Sequence, residues 1–388
     1  MNLKIIIRDL LLILLLYLGL LNGTNQIDTI IGFILFIYVS SVLFLGLRIN
    51  LMKRWLILPL LLMFVLTSQL NSSKIKDYLS REPINKSYRT DMDDFLKTFY
   101  RMKQGGDYYS SYKYSIEQNP FKGLVSTNLW SWRLPTLFLI WTWFTGKTGL
   151  FIYYLFLLNC IGVLFCSYKL IEKLLHPKVQ HFAILAPYLL FPYLHFANRD
   201  TTLLQSEWWG MFFYIYGVCF LIIKKRKISL LCFVLAILSR ELFISPLALS
   251  LMYSLFSDRK NIFTFCVPIF IYVIALIFHA HFVSITVGFN SNFLTPRIHE
   301  YNKSILLATL AFGSWEYAFY RLRVLAILSF FGTLAGFVNI RKAFVLFSYS
   351  FFMLEILLIG TSVYNDYWGA VYVPFLLITV PLLMNLFV

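Results

Sequence analysis

Apolar residues in this chain gather into blocks, mostly of about 17–22 residues, and that length restricts the fold more than any motif does. A helix of that size crosses a hydrocarbon core about 30 Å thick. Helices satisfy their own backbone hydrogen bonds in lipid, whereas a β-barrel needs alternating segments of about ten residues, and the sequence has none. The blocks run 8–21, 28–47, 54–70, 149–168, 180–196, 207–223, 228–241, 243–257, 262–283, 321–338, 343–362 and 367–387. They predict an all-α fold, a polytopic transmembrane bundle of about twelve spans forming one integral membrane domain over residues 1–388. Only 13% of residues are charged, about half the share of a soluble domain, so a water-soluble core is excluded. Lys4 and Arg8 precede an apolar run with no small-x-small cleavage site, so an uncleaved first span is expected.

The stretch 228–257 fits one long helix or two short ones. Ser239, Arg240 and Glu241 stand at its middle and Pro246 follows, a costly combination for a single lipid-facing helix. As a hairpin it puts Lys224–Lys227 and Arg259–Lys260 on the same side as Arg48/Lys53/Arg54, Lys169/Lys173/Lys178 and Arg341/Lys342. Retention of basic residues in the cytoplasm favours that arrangement. Both termini are then cytoplasmic, and two long segments, 71–148 and 284–323, face outward. Trp130, Trp132, Trp141, Trp143, Trp208, Trp209, Trp315 and Trp368 fall on or near that outer side, where indole rings favour the headgroup layer. The net charge of +16 is thereby assigned to topology and anionic membrane lipids, with no nucleic-acid partner expected. The five cysteines all lie in apolar blocks without metal-ligand spacing, so neither a disulfide framework nor a zinc site is expected.

In the first outer loop, 92–104 reads as an amphipathic helix with Phe95, Phe99 and Met102 on one face and Lys97, Arg101 and Lys103 elsewhere. Gly105-Gly106 ends it. Residues 133–144 are apolar but too short to span, and read as an interfacial or re-entrant helix.

Asp91, Asp93 and Asp94 open the amphipathic helix, and Asp107 follows its end. A carboxylate at the membrane surface could act as a general base on an acceptor hydroxyl. Equally, Thr90 or Asp91 can cap the helix while Asp93 and Asp94 complement its dipole. Arg240 is suited to a bidentate phosphate contact with Glu241 orienting it, or the two form a self-neutralising structural pair. Arg199 and Glu207 flank a short outer stretch that ends in Trp208 and Trp209, a pair fit to pack on a sugar face or to sit at the interface. Arg133 precedes Pro135 at a helix start, and Arg321 stands where a later span begins. His299 lies in the second outer loop, within reach of acid–base work. His279 and His281 diverge on a helix and make a poor metal pair. No Walker, dinucleotide-loop, HExxH or GxSxG pattern occurs, which argues against an ATP-driven pump and against a soluble cofactor enzyme. No cofactor is required, although Asp93/Asp94 would permit a weak external divalent cation.

These features together resemble the GT-C superfamily of membrane glycosyltransferases, closest to the bacterial polyprenol-phosphate-mannose-dependent branch. Asp91 opens the loop helix, Phe95 follows, Gly105, Asp107 and Tyr109 make the turn, Arg133 and Pro135 lead to the next helix, and Ser239-Arg240-Glu241 closes a later short helix. The resemblance implies a polyprenyl-phosphate-sugar donor, a glycan or lipid acceptor and an outward-facing site in the bacterial inner membrane. It implies an inverting displacement in which the loop Asp, carried over to Asp91, is the base or positions the acceptor. In this chain the loop follows the third span, whereas in the family it usually follows the first. Two other functions suit a many-span chain. One is an O-antigen or capsule repeat polymerase using Arg133, Arg199, Arg297, Arg321 and Arg323. The other is a lipid-linked sugar flippase without chemistry, which would predict an inverted repeat that the sequence lacks.

Overall fold

The computed structural model describes residues 7–13, 26–44, 57–83, 90–119, 125–144, 146, 148–199, 201–295, 328, 331–336 and 369–388. All regular structure among the described residues is helical. We label the helices α1 (Gln26–Phe44), α2 (Leu58–Leu70), α3 (Ser73–Leu79), α4 (Asp91–Lys103), α5 (Tyr108–Glu117), α6 (Thr136–Phe144), α7 (Leu150–Leu174), α8 (Leu185–Arg199), α9 (Ser206–Ile222), α10 (Arg226–Ser239), α11 (Ile244–Ser257), α12 (Ile262–Val287) and α13 (Gly369–Thr379).

Among the described residues, three helical stretches are long and apolar enough to cross a membrane: Leu150–Leu174, Arg259–Val287 and Gly369–Phe387. Leu58–Leu70 and Glu241–Ser257 are apolar but shorter. The expected block at 343–362 and most of 321–338 lie outside the described residues. Two blocks are not uniform α-helix. The 180–196 block begins as a 3-10 stretch, Pro177–Ile184, before α8, and the 367–387 block turns from α13 into a 3-10 stretch, Val380–Phe387. Pro177 and Pro381 sit at the starts of those stretches, where a residue without an N–H interrupts the α ladder at least cost.

The charged middle of 228–257 is a corner. α10 ends at Ser239, a single 3-10 turn covers Glu241–Phe243, and α11 returns. Phe233 on α10 packs on Phe265 near the start of α12, while Glu241 acts electrostatically on His279 near its end. So α10 and α12 run the same way, with α11 reversed between them in the chain. Close packing of α9 on α10 depends on glycine. A Cβ at Gly217 would stand 2.5 Å from the Phe233 ring, and the Ser229 hydroxyl donates to the Gly217 carbonyl at 2.7 Å. The lipid-length helix α12 exposes Phe263, Phe270 and Ile277 along its outward side, as a span against lipid requires.

At one end of this bundle α4 and α5 form an antiparallel hairpin. Gly105, at φ +98°, makes the reversal that a side chain would strain. Phe95, Phe99 and Met102 are all buried, as the amphipathic pattern predicts. Lys97 departs from that pattern: it is 4% exposed and its ammonium lies 5.3 Å over the Tyr114 ring of α5. The Arg101 guanidinium lies 3.6 Å over the same ring. A second helix on the polar flank converts those positions to cation–π contacts. The segment after the hairpin is bonded to the turn that follows α12, through Leu129 N–H to the Phe293 carbonyl at 2.9 Å and Asn128 Nδ2 to the Asn292 carbonyl at 2.8 Å. The Lys113 ammonium donates to the Thr286 carbonyl at 3.1 Å. The loop is therefore docked on the same end of the bundle as the Arg240–Glu241 corner.

Candidate active site

Four charged residues from three separate segments meet at that corner. Glu207 lies in the first turn of α9, Arg240 and Glu241 in the α10–α11 corner, and Arg133 three residues before α6. The Arg240 Nε stands 2.8 Å from Glu207 Oε1, and Arg240 also donates to the Glu241 carboxylate. Arg133 is held more loosely, 3.7 Å from Glu207 and 3.8 Å from Glu241. Arg240 and Glu207 are each about 1% exposed. The side chains of Arg133 and Glu241 reach the surface, at 18% and 30%. A lone guanidinium would not be stable at this depth, and the carboxylates meet its desolvation cost only through close geometry.

The backbone is shaped to bring the corner in. Gly210, one turn after Glu207, faces it. A Cβ there would lie 2.6 Å from the Phe243 ring and 3.1 Å from the Arg240 Cβ. On the loop side, the Tyr108 hydroxyl donates to the Arg133 carbonyl at 2.6 Å, fixing the backbone that presents that guanidinium. Beside it the Tyr109 hydroxyl and His279 Nδ1 share a 3.0 Å hydrogen bond, with the rings 5.6 Å apart. His279 is 3% exposed and feels the Glu241 charge and the Trp132 backbone. It lies on α12, 170 residues from its phenol partner.

The loop carboxylates stand elsewhere. Asp93 accepts hydrogen bonds from the Thr90 backbone N–H at 2.7 Å and from the Tyr78 hydroxyl at 2.9 Å. Asp94 is buried and accepts from Asn119 Nδ2 at 3.0 Å. The two neighbouring carboxylates thus take separate partners. Among the described residues no group of three or more His, Cys, Asp or Glu could hold a metal ion. Asp91 is exposed in the first turn of α4. Asn119 follows the C-terminus of α5, and Tyr108 and Tyr109 open its N-terminus, so the aspartates lie about 15 Å from the arginine–glutamate cluster along that helix. Asp107 caps α5 by accepting from the Ser110 N–H at 3.0 Å. Burial pushes its carboxyl up, but the Ser110 and Tyr109 hydrogen bonds outweigh that and hold it below the usual carboxylate range.

The sequence reading thus names Arg133, Glu207, Arg240 and Glu241, and the fold brings these four together. Tyr109 and His279 were not singled out for this site, and nothing local in the sequence links them. Trp208 and Trp209 are fully buried against Phe156, with the Trp209 indole N–H donating to the Leu203 carbonyl, so neither offers a face to a sugar. The Arg199 side chain, His299 and Arg321 lie outside the described residues. No family model, curated protein or solved structure matches the chain.

Proposed function

We propose that this protein is a membrane glycosyltransferase moving a sugar from a polyprenyl-phosphate donor to a glycan or lipid acceptor. It would work on the outer face of a bacterial plasma membrane, in a bundle of about twelve spans with cytoplasmic termini. One observation carries the reading: two guanidiniums and two carboxylates converge where the docked loop meets a charged corner of an otherwise apolar bundle. Arg240 is locked by its close pairs. Arg133 is partly exposed, 3.7 Å from Glu207 and 3.8 Å from Glu241, and a guanidinium that reaches the surface can take a bidentate contact from a phosphate arriving from the lipid side. Sugar transfer places negative charge on the departing phosphate, and a positioned guanidinium stabilises charge that develops there.

Of the two roles the resemblance implies for Asp91, the separation of about 15 Å from the cluster supports acceptor positioning rather than proton removal at the donor. Exposure of Asp91 suits contact with a polar acceptor arriving from water. The test is release of free polyprenyl phosphate from a panel of polyprenyl-phosphate hexoses and pentoses, using the full chain in lipid vesicles. Arg133→Gln should lower release about 100-fold or more. A donor translocated intact would replace this reading with a flippase, and a ladder of repeats would replace it with a polymerase.

A further inference from the structure

The proposed transfer leaves the acceptor proton without a receiver near the cluster. Glu241 is bonded to Arg240 and faces Arg133, and a carboxylate between two guanidiniums is a weak base. Glu207 is buried against Arg240. Asp91, Asp93 and Asp94 are a helix length away, and Asp107, beside Tyr109, is committed to the Ser110 and Tyr109 hydrogen bonds that hold it below the usual carboxylate range. One group at the cluster is built differently. Tyr109 is half-buried, its ring stacks on Phe282 at 5.2 Å, and its hydroxyl meets a buried imidazole nitrogen.

We infer that Tyr109 and His279 form a two-residue proton relay, with Tyr109 meeting the acceptor hydroxyl and His279 acting through it. This rests on the transferase reading. The acceptor O–H passes its proton to the Tyr109 oxygen as the Tyr109 proton moves to Nδ1 of His279. The acceptor oxygen bonds to the anomeric carbon, and the bond from that carbon to the phosphate oxygen breaks, its electron pair leaving on the lipid phosphate. The imidazolium so formed faces Glu241, which stabilises it, and its proton returns to water through the same phenol. Burial and the nearby Asp107 charge raise the Tyr109 pKa, so the phenol starts protonated and accepts a proton only by handing its own on. The arrangement requires the tautomer with Nδ1 unprotonated and the proton on the buried Nε2. The charged and titratable groups around the pair are Asp107 next to Tyr109 on the loop, Arg133 before α6, Glu207 on α9, and Arg240 and Glu241 at the corner.

The test compares Tyr109→Phe and His279→Asn with the wild-type chain in vesicles, using the same donor panel. Asn places an amide oxygen near the Nδ1 position, so it can accept the Tyr109 hydrogen bond but cannot take the proton. Polyprenyl phosphate binding, read by native mass spectrometry, should stay within about threefold in both variants. Turnover should fall about 100-fold or more, and the acid limb of the pH–rate profile should vanish in His279→Asn. Wild-type turnover and an unchanged pH profile in His279→Asn would overturn the relay while leaving the transferase reading intact. A wild-type chain that neither binds polyprenyl phosphate nor releases it from any donor removes the transferase reading, and the relay with it. If a variant loses binding as well as turnover, the pair only holds the loop in place and the relay is refuted.

Discussion

Cutting Glu207 back to alanine tests the buried half of the cluster most directly. The substitution leaves the Arg240 guanidinium, about 1% exposed, without the carboxylate 2.8 Å from its Nε. Breaking a buried ion pair from one side costs about 3–5 kcal/mol, because the remaining charge is stranded in a poorly solvating interior. Arg240 keeps its bond to Glu241 here, so the low end, about 3 kcal/mol, is expected. Removing both partners together, with Glu207→Met and Arg240→Met, strands no buried charge and should cost less than the two single changes summed. The assay is a double-mutant cycle on unfolding free energy, measured by denaturing-detergent titration of the purified chain. A coupling of about 1–3 kcal/mol between the two positions is expected. Coupling below about 0.5 kcal/mol would show that the pair does not hold the corner, and the account of why charge is tolerated there would fail.

Gly210→Ala should destabilise the chain by about 1–3 kcal/mol in the same titration, since its Cβ would meet Phe243 at 2.6 Å and Arg240 at 3.1 Å. Asp93→Ala should cost about 1 kcal/mol through loss of its bonds to the Thr90 N–H and Tyr78 hydroxyl, read as faster hydrogen exchange in α4. Asp91→Asn should raise the acceptor KM while polyprenyl phosphate binding stays unchanged; an unaltered KM would remove Asp91 from acceptor positioning. Asp107 has a depressed folded-state pKa, so its capping contribution is present above the usual aspartate range and is lost as the pH falls through the folded value. Hydrogen exchange in α5 should therefore quicken as the pH falls below about 4. Asp107→Asn should abolish that dependence.

The parts of this architecture that show in the sequence are those set by local pattern. The spacing of Phe95, Phe99 and Met102 marks the buried face of α4, and the charges in the middle of 228–257 mark a break in an apolar run. Helix α5 was not legible, because YYSSYKYSIE buries itself through tyrosines and serines rather than through an aliphatic stripe. Lys97 was misplaced for the same reason, since its burial depends on Tyr114 in that unforeseen helix. Glu207 and Arg133 carry no local sign that they meet Arg240; the meeting depends on Gly210 admitting the corner and on Tyr108 holding the Arg133 backbone. Asp93 and Asp94 look alike as neighbours in the chain, yet helical geometry turns one to Thr90 and the other to Asn119.

Helix α12 carries His279 against the loop tyrosine and, two turns later, holds the loop through Thr286 and the strap of hydrogen bonds at Asn292 and Phe293. A tilt of that one helix away from α10 would withdraw the imidazole and lift the Arg133-bearing segment in the same stroke. The imidazole and the segment leading to Arg133 are therefore not positioned independently: both depend on where one helix end lies.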